Sequence, residues 1–577
     1  MGSTTSNCTA SGLWGGKLAL LCLLLLSTAP AFAGKEKLSR ELRSPSQPQL
    51  DVIVQFRQTP TSKHLAKVTG KGARLKHQLG VVKGAAFTGL PAGALAALAD
   101  DPDVAYITPD RKVNGAADYS NQAVGADLAW QFYGVDGSGV GVAVIDSGIN
   151  SVGDLNYSGS RNSRIVYSQN FASGTNTTAD LYGHGTHVAG IIGGNGASST
   201  GNNYWFTIEG VAPNVNLINL RVLDQYGAGS DSQVINALQT AIKLKNTYNI
   251  RVINLSLGRQ VFESYRNDPL CQAVEAAWKA GIVVVVAAGN QGRNNSAGNQ
   301  GYGTIASPAN DPYVITVGAM RTMETPDRAD DVMTSYSSKG PTAYDHIAKP
   351  DLVAPGNMVM SLLARDSYLV TNFPENAVLA SDYIDTWKSY ASPYYFRLSG
   401  TSMAAPVVSG AAALMLQKDP SLSPDTVKAR LMKSAFKTLP ALTTYTDPDT
   451  GITYNIQSDL FTVGAGYLDV QAALANNDVV PALLNANSPT TVYNSLTRTT
   501  TLVNGTSVVW GSSLIWGNSV VWGSSVVWGN TVTWGSSVCW GSGTSQGLSV
   551  IWGSSVIWGA SNQNATEASS IAIRGDR

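Results

Sequence analysis

"GVGVAVID" occupies Gly139–Asp146, and the fold follows from how it is read. A strand with one face in water alternates apolar and polar residues, whereas this run is apolar or small on both faces until it ends on a carboxylate. The runs "VNLINLRVL" (215–223), "RVINLSLG" (251–258), "IVVVVAAGN" (282–290) and "YVITVGAM" (313–320) are likewise largely apolar on both faces. Between them, "SDSQVINALQTAIKLKN" (230–246) and "PLCQAVEAAWKA" (269–280) carry helical periodicity. Strand and helix alternating from about 121 to 475 predict an α/β fold, a doubly wound, mostly parallel sheet covered by helices on both sides. Ligands gather at the carboxyl ends of such strands, which makes Asp146 a candidate site residue.

Working outward, residues 51–107 alternate strand-like runs ("DVIVQF", "GVVKGAAFTGL", "DVAYI") with helix-like ones ("TSKHLAKVTGKGARL", "PAGALAALADD"), predicting a small α+β domain. Lys+Arg and Asp+Glu balance at 39 each, which gives no case for a nucleic-acid partner. The charge is unevenly placed: Gly34–Lys112 carries thirteen basic and seven acidic residues, net +6, and the remainder from Val113 carries net −7. Adjacent segments of opposite sign suit two parts that dock. At the N-terminus, Lys17, the apolar run "LALLCLLLL" and "AFA" ending at Ala33 read as a secretory signal, with an uncleaved anchor as the alternative. No later stretch approaches eighteen apolar residues, so the mature protein is expected to be exported and soluble. Beyond the signal only Cys271 and Cys539 remain, which is no disulfide scaffold.

Three turns at the sheet edge carry chemistry. "AVIDSGI" holds Asp146, "YGHGTHVAG" holds His184, and "SGTSMAAP" holds Ser402 at the start of a small-residue helix. A serine hydroxyl is a weak nucleophile that needs a base, and the base needs an orienting carboxylate. His187 lies in the same motif and is expected to be structural. A metal pair is disfavoured, because "HxxH" here lacks the nearby glutamate of a zinc-protease helix.

The blocks "VIDSGI", "GHGTHVAG" and "GTSMAAPVVSG", followed through "INLSLG", "VVVVAAGN", "KPDLVAPG" and "GAGYLDVQAAL", resemble a subtilisin-like serine protease (a subtilase) over roughly 120–475. The resemblance implies Ser402 as nucleophile, His184 as general base and then acid, Asp146 as its partner, and Asn290 as side-chain donor of the oxyanion hole. It places Ser256, Leu257, Gly258, Ala288 and Gly289 along a bound polypeptide substrate, with Ala306 near the floor of the first pocket. No cofactor is required for the chemistry, but a structural calcium is allowed, with Asp154 and Gln122 near its ligand positions. The loop "GNGASSTGNNYWFTIEGVAP" (194–213) is longer than usual there. A second insertion, aromatic-rich, spans Asp366–Phe396 and reads equally as a cleft rim or a structural extension. Residues 34–113 resemble an inhibitory propeptide, cut by Ser402 itself.

Past residue 475 the sequence changes character. Trp510, Trp516, Trp522, Trp528, Trp534, Trp540, Trp552 and Trp558 fill eight of nine positions spaced by six, with Gln546 in the ninth. Fifty-four residues as one strand would reach about 180 Å, so the segment must turn repeatedly, and a triangular β-solenoid of three coils accommodates the period. Cys539 is then buried and unpaired. A spacer, an aromatic surface for glycan or cell-surface contact, and a secretion or self-association element compete as roles. "RGD" at Arg574–Asp576 is attributed to chance on a flexible tail. The expected organisation is signal peptide 1–33, propeptide 34–113, peptidase domain 114–475, linker 476–505, repeat-built β segment 506–560 and tail 561–577. The alternative to a protease is a surface or adhesion protein in which the repeat does the work.

Overall fold

The computed structural model describes residues 35–43, 48–110, 118–296, 298–386, 390–494, 499–503, 521–522, 526–527 and 570–577. The signal-peptide reading, the β-solenoid reading and nearly all of the repeat, including Cys539, lie outside these. The chain divides after Val113 into two compact units.

The first unit is a four-stranded antiparallel sheet in the order Arg74–Leu79, Gly84–Pro91, Gln49–Phe56, Val104–Pro109. Helices Ser62–Thr69 and Leu95–Ala99 accompany it, and Val52, Val54, Phe87, Leu90, Leu98 and Ile107 form its core. Arg74–Leu79 departs from expectation, since its first two residues read as the end of a helix. It is an edge strand exposed along almost its whole length, and its "RLKHQL" has no buried face to impose alternation.

The second unit is the α/β domain. Its strands are β1 (Gly141–Asp146), β2 (Ile165–Asn170), β3 (Asn216–Arg221), β4 (Ile250–Leu255), β5 (Val283–Ala287), β6 (Ile315–Arg321), β7 (Val332–Met333) and β8 (Leu352–Pro355). They run in the order β7-β6-β5-β4-β1-β3-β2, with β8 also on β6; every pair is parallel except β6–β7. All six residues of β1 are buried, as its two-sided apolar pattern requires. Each buried Val or Ile contributes about 1.5–3 kcal/mol relative to exposure, so the central strands dominate the stability of this layer. Edge strand β2 is half-exposed and lacks a continuous apolar run, which is why its sequence gives little signal. Five helices matter to the site or its support: α1 (His184–Gly193), α2 (Asp231–Leu244), α3 (Pro269–Lys279), α4 (Thr401–Lys418) and α5 (Pro424–Ser434). α4 is buried almost throughout and packs on α1 and on the sheet.

Two expectations past residue 475 need correction. Residues 480–491 do not form a free linker. Ala486 N–H donates to Asp425 (2.7 Å), Thr491 N–H to His346 O (2.7 Å), and Ser488 Oγ to Asp351 (2.5 Å). Ser488 Oγ also accepts from Lys428, 2.9 Å away, in a fully buried cluster of Lys349, Asp351 and Lys428. A buried charge cluster is tolerable only with its hydrogen bonds filled, and this segment supplies one of them. The second correction concerns 570–577, which is docked on the domain: Ile571, Ile573 and Asp576 are 1%, 3% and 2% exposed. Asp576 of "RGD" is therefore not on display.

The aromatic insertion is a structural extension. Ala377–Leu379 and Ala391–Leu398 form a three-stranded sheet with Val359–Leu362, and Tyr383, Tyr395 and Phe396 are buried. It also reaches the cleft. Tyr368 and Leu369 N–H donate to Leu181 O and Tyr182 O (both 2.9 Å), and the Tyr368 ring stacks on Tyr182 with centroids 6.0 Å apart.

Candidate active site

Asp146 ends β1 and is buried. Its Oδ1 accepts from Ser147 N–H at 2.7 Å and lies 2.8 Å from His184 Nδ1. His184 opens α1, after Gly183 at φ +108°, where a Cβ would also strike Ser367. Only glycine turns the chain there without strain. Asp180 organises this turn: its Oδ1 accepts from Gly183 N–H (2.7 Å) and Ser147 Oγ (2.8 Å), and its Oδ2 from Thr186 N–H (2.8 Å). A carboxylate at a helix N-terminus also meets the favourable end of the dipole. Sequence reasoning passed over Asp180; its signal is an acid four residues before the histidine of a helix-opening turn.

Burial of the His184 ring disfavours its charged form, but the adjacent Asp146 carboxylate, with a smaller contribution from Asp180, outweighs this and raises its pKa above the ordinary value. His187 is pushed the other way, down to about 3, by burial and then by His184. Its Nε2 lies 3.1 and 3.0 Å from the carbonyls of Val359 and Phe396, so it is a neutral structural donor, as expected.

Ser402 is the second residue of α4, after Gly400 at φ +142°. Its Oγ donates to Ser256 O at 3.1 Å, and Ser256 Oγ donates back to Ser402 O at 2.7 Å. Asn290, just beyond β5, is held by its acceptor end: Oδ1 accepts from Thr401 N–H (2.9 Å) and Thr401 Oγ1 (3.0 Å). Its Nδ2 faces Gly400, where a Cβ would come within 3.0 Å. Thr401, a residue sequence reasoning did not single out, thereby sets which end of the Asn290 amide faces the cleft. It also accepts from Gly289 N–H at 3.1 Å.

A groove of about 650 Å³ is lined by His184, Asn290 and Ser402 together with Ser256, Leu257, Gly258 and Gly289. Ala306 also lines it, placed so that a Cβ on Gly258 or Gly289 would lie 3.1 or 3.2 Å from the Ala306 Cβ. Ala288 does not line it. That residue is fully buried, and its carbonyl accepts from Ala306 N–H at 3.0 Å, so it supports the Ala306 segment instead.

The residues near the expected calcium position do not fit a cation. Asp154 is buried, and its Oδ1 accepts from Ser198 N–H (3.0 Å) and from the Ser198 hydroxyl. Its Oδ2 accepts from the Tyr395 hydroxyl at 2.7 Å. Protons occupy the lone pairs a hard cation would use. Gln122 lines a separate small cavity with Asp118 and Glu209. Among the described residues, no three His, Cys, Asp or Glu side chains are grouped to hold a metal, and no helix is long and apolar enough to cross a membrane. Cys271 is buried with its thiol 3.3 Å from Asn310 Oδ1, and burial pushes its pKa far up, so it is inert.

Compared with known proteins, residues 137–466 match the subtilase family of S8 peptidases. The chain is 35% identical to the serine protease AprX of Bacillus subtilis (strain 168) over 376 residues, which are 64% of this chain and 77% of that one. It is 33% identical to subtilisin E of the same organism over 431 residues, 73% of this chain and 93% of that one. With an alkaline protease of Shouchella clausii it shares 34% identity over 342 residues, 59% and 70% of the two chains.

Proposed function

The chain belongs to the subtilase family and is a serine-type endopeptidase, and we propose that it cleaves polypeptides through Ser402, His184 and Asp146. The observation that carries this reading is the 2.8 Å contact between Asp146 and His184 Nδ1, in a groove that His184 shares with Ser402 and Asn290. Asp146 holds Nδ1, leaving Nε2 to act. The Ser402 hydroxyl swings from Ser256 O, passes its proton to Nε2 and attacks the scissile carbonyl. Negative charge developing on the carbonyl oxygen meets Asn290 Nδ2 and the Ser402 N–H at the N-terminus of α4. His184 then returns the proton to the leaving amine, and water repeats the sequence on the acyl-enzyme. No cofactor takes part in these steps. Ser256–Gly258 and Gly289 pair with extended substrate as an added strand, while Ala306 favours an uncharged apolar side chain in the first pocket.

The same reading makes the protein a secreted proenzyme. Residues 1–33 direct export, and 34–113, net +6 against −7 for the remainder, inhibit until Ser402 cuts near 113. In the mature enzyme the repeat acts as a spacer, as a surface for glycan or cell-surface contact, or as a secretion or self-association element. An adhesion protein with an idle protease fold is disfavoured, since Asp146, His184 and Ser402 are all present and Asp146 lies 2.8 Å from His184 Nδ1. The test is Ser402→Ala. This variant should be secreted with residues 34–113 still attached and hydrolyse no peptide anilide; normal maturation with retained hydrolysis would refute the assignment.

A further inference from the structure

The segment Ser570–Arg577 docks between the two loops that carry the oxyanion donors, and each loop is gripped three residues from its donor. On the Asn290 side, Asp576 Oδ1 accepts from Arg293 Nη2 (2.8 Å) and Ser335 Oγ (2.7 Å), while its Oδ2 accepts from Ser335 N–H (2.6 Å). Arg293 and Asp576 are both nearly enclosed, with side chains 7% and 3% exposed. Gly292 N–H donates to Tyr336 O (2.8 Å) and Gln291 N–H to Ser338 Oγ (3.0 Å), so Asp576 closes the end of a ladder that begins at Asn290. On the Ser402 side, Ser399 N–H donates to Ala572 O (2.8 Å). Asn357, beside Gly356, whose carbonyl accepts from Gly400 N–H, exchanges two bonds with the Asp576 backbone: N–H to Oδ1 at 2.8 Å, and Nδ2 to O at 3.1 Å.

The fit is specific. Gly575 has φ +58°, and a Cβ there would collide with Asn357 and Ser399. Ile571 and Ile573 are buried, Asn376 Nδ2 donates to Ile573 O at 2.6 Å, and Arg574 pairs with Asp449. Ala572 lines the substrate groove itself. Ile571, Ile573, Gly575 and Asp576 each meet a buried, shaped partner, and Arg574 meets Asp449.

We propose that Ser570–Arg577 is a clip that positions the oxyanion hole, with Asp576 and Gly575 as its specifying residues. The clip acts through Asn290 and Ser402, and the proposal therefore rests on the reading of those residues above. Asp576 touches no substrate and is a positioning residue. Its loss lets the 290–293 loop drift against α4, which weakens a contact made in the transition state more than in the ground state.

The test compares Asp576→Ala, Gly575→Ala and Asn290→Ala in the full chain, with rates per site titrated by a serine-directed fluorophosphonate so that unfolded protein does not count. For both clip variants kcat should fall about 10–100-fold with KM nearly unchanged, as for small displacements of positioned groups. If a clip variant fails to fold, an orthogonal protease site placed before Ser570 lets the mature wild-type chain be cut after folding. The cut enzyme, stripped of the segment, should regain kcat with a synthetic Ser570–Arg577 peptide and not with its Asp576→Ala form. Clip variants or stripped enzyme with parental kcat per site, alongside a weakened Asn290→Ala, would overturn the clip alone. An Asn290→Ala variant of parental kcat would overturn the site reading beneath it. A rise in kcat on removal would show the segment to be an inhibitor and overturn the clip.

Discussion

Replacing Asn290 tests the site where two functions meet in one side chain. Nδ2 faces Gly400 and the groove, while Oδ1 accepts two hydrogen bonds from Thr401. Asn290→Ala removes both. The lost donor lowers kcat by about 10²–10³, or 2.7–4 kcal/mol; that figure comes from subtilisin itself, so it is carried over from a relative. The lost acceptor leaves the Thr401 N–H and hydroxyl unpaired, at a cost in folding stability of about 1–3 kcal/mol. Thr401→Val largely separates the terms, because it keeps the backbone bond and the donor but frees Oδ1 from one of its two anchors, at the added loss of the acceptor for Gly289 N–H. Its kcat should fall by less than tenfold, since about 1 kcal/mol of orientation is lost. Hydrolysis of a peptide anilide, with active sites titrated, gives kcat and KM, and chemical denaturation gives stability. Asn290→Ala with kcat within a few-fold of parent, or Thr401→Val more damaged than Asn290→Ala, would refute this account of the oxyanion hole.

The remaining predictions concern pH, the Asp154 site and the first pocket. His184 must be neutral to accept the proton, and its pKa is raised, so the acid limb of kcat/KM should fall above the ordinary histidine value. In Asp146→Asn, burial acts with less opposition and the limb moves to lower pH while the rate collapses; a limb that does not move would refute the pairing. The raised pKa also means that protonated His184 stabilises the fold below its unfolded pKa, a contribution lost as pH rises through the folded one. Tyr395→Phe strands the buried Asp154 Oδ2 and should cost about 1–3 kcal/mol in thermal unfolding. A chelator should not reproduce that loss, and a chelator effect of the same size would show a cation at Asp154. Ala306→Val should reduce kcat/KM for substrates with large apolar side chains by about 10–100-fold and leave alanine substrates nearly untouched; an equal loss for both would remove Ala306 from the pocket.

Much of this was legible in the residues because burial on both faces writes itself into composition. β1 and β5 are almost pure aliphatic runs, and Asp146 closes the first, while His184 and Ser402 sit in glycine-framed blocks at helix starts, so all three stand out. Strands in contact with water were the ones that escaped: Arg74–Leu79 and Ile165–Asn170 sit at sheet edges, where nothing enforces a pattern. The resemblance puts Ala288 beside Gly289 along the substrate, but its side chain is fully buried. Asp180 and Thr401 were missed because they act on other residues and not on substrate, and sequence spacing does not record such partnerships. The docked 570–577 segment was illegible for a different reason. Its partners, Arg293, Ser335, Asn357 and Ser399, are scattered over a hundred residues, and its short buried run looks like any other chain end.

The central claim is that Ser402 is the nucleophile, activated by His184. Treating the mature wild-type protein with a serine-directed fluorophosphonate, and locating the adduct by peptide mass spectrometry, tests it most directly. The account predicts one adduct per chain, on Ser402, formed in step with loss of peptidase activity. It also predicts that His184→Ala protein, though folded, is labelled far more slowly. Inactivation with the adduct on another residue, or equal labelling of the His184→Ala protein, would contradict it.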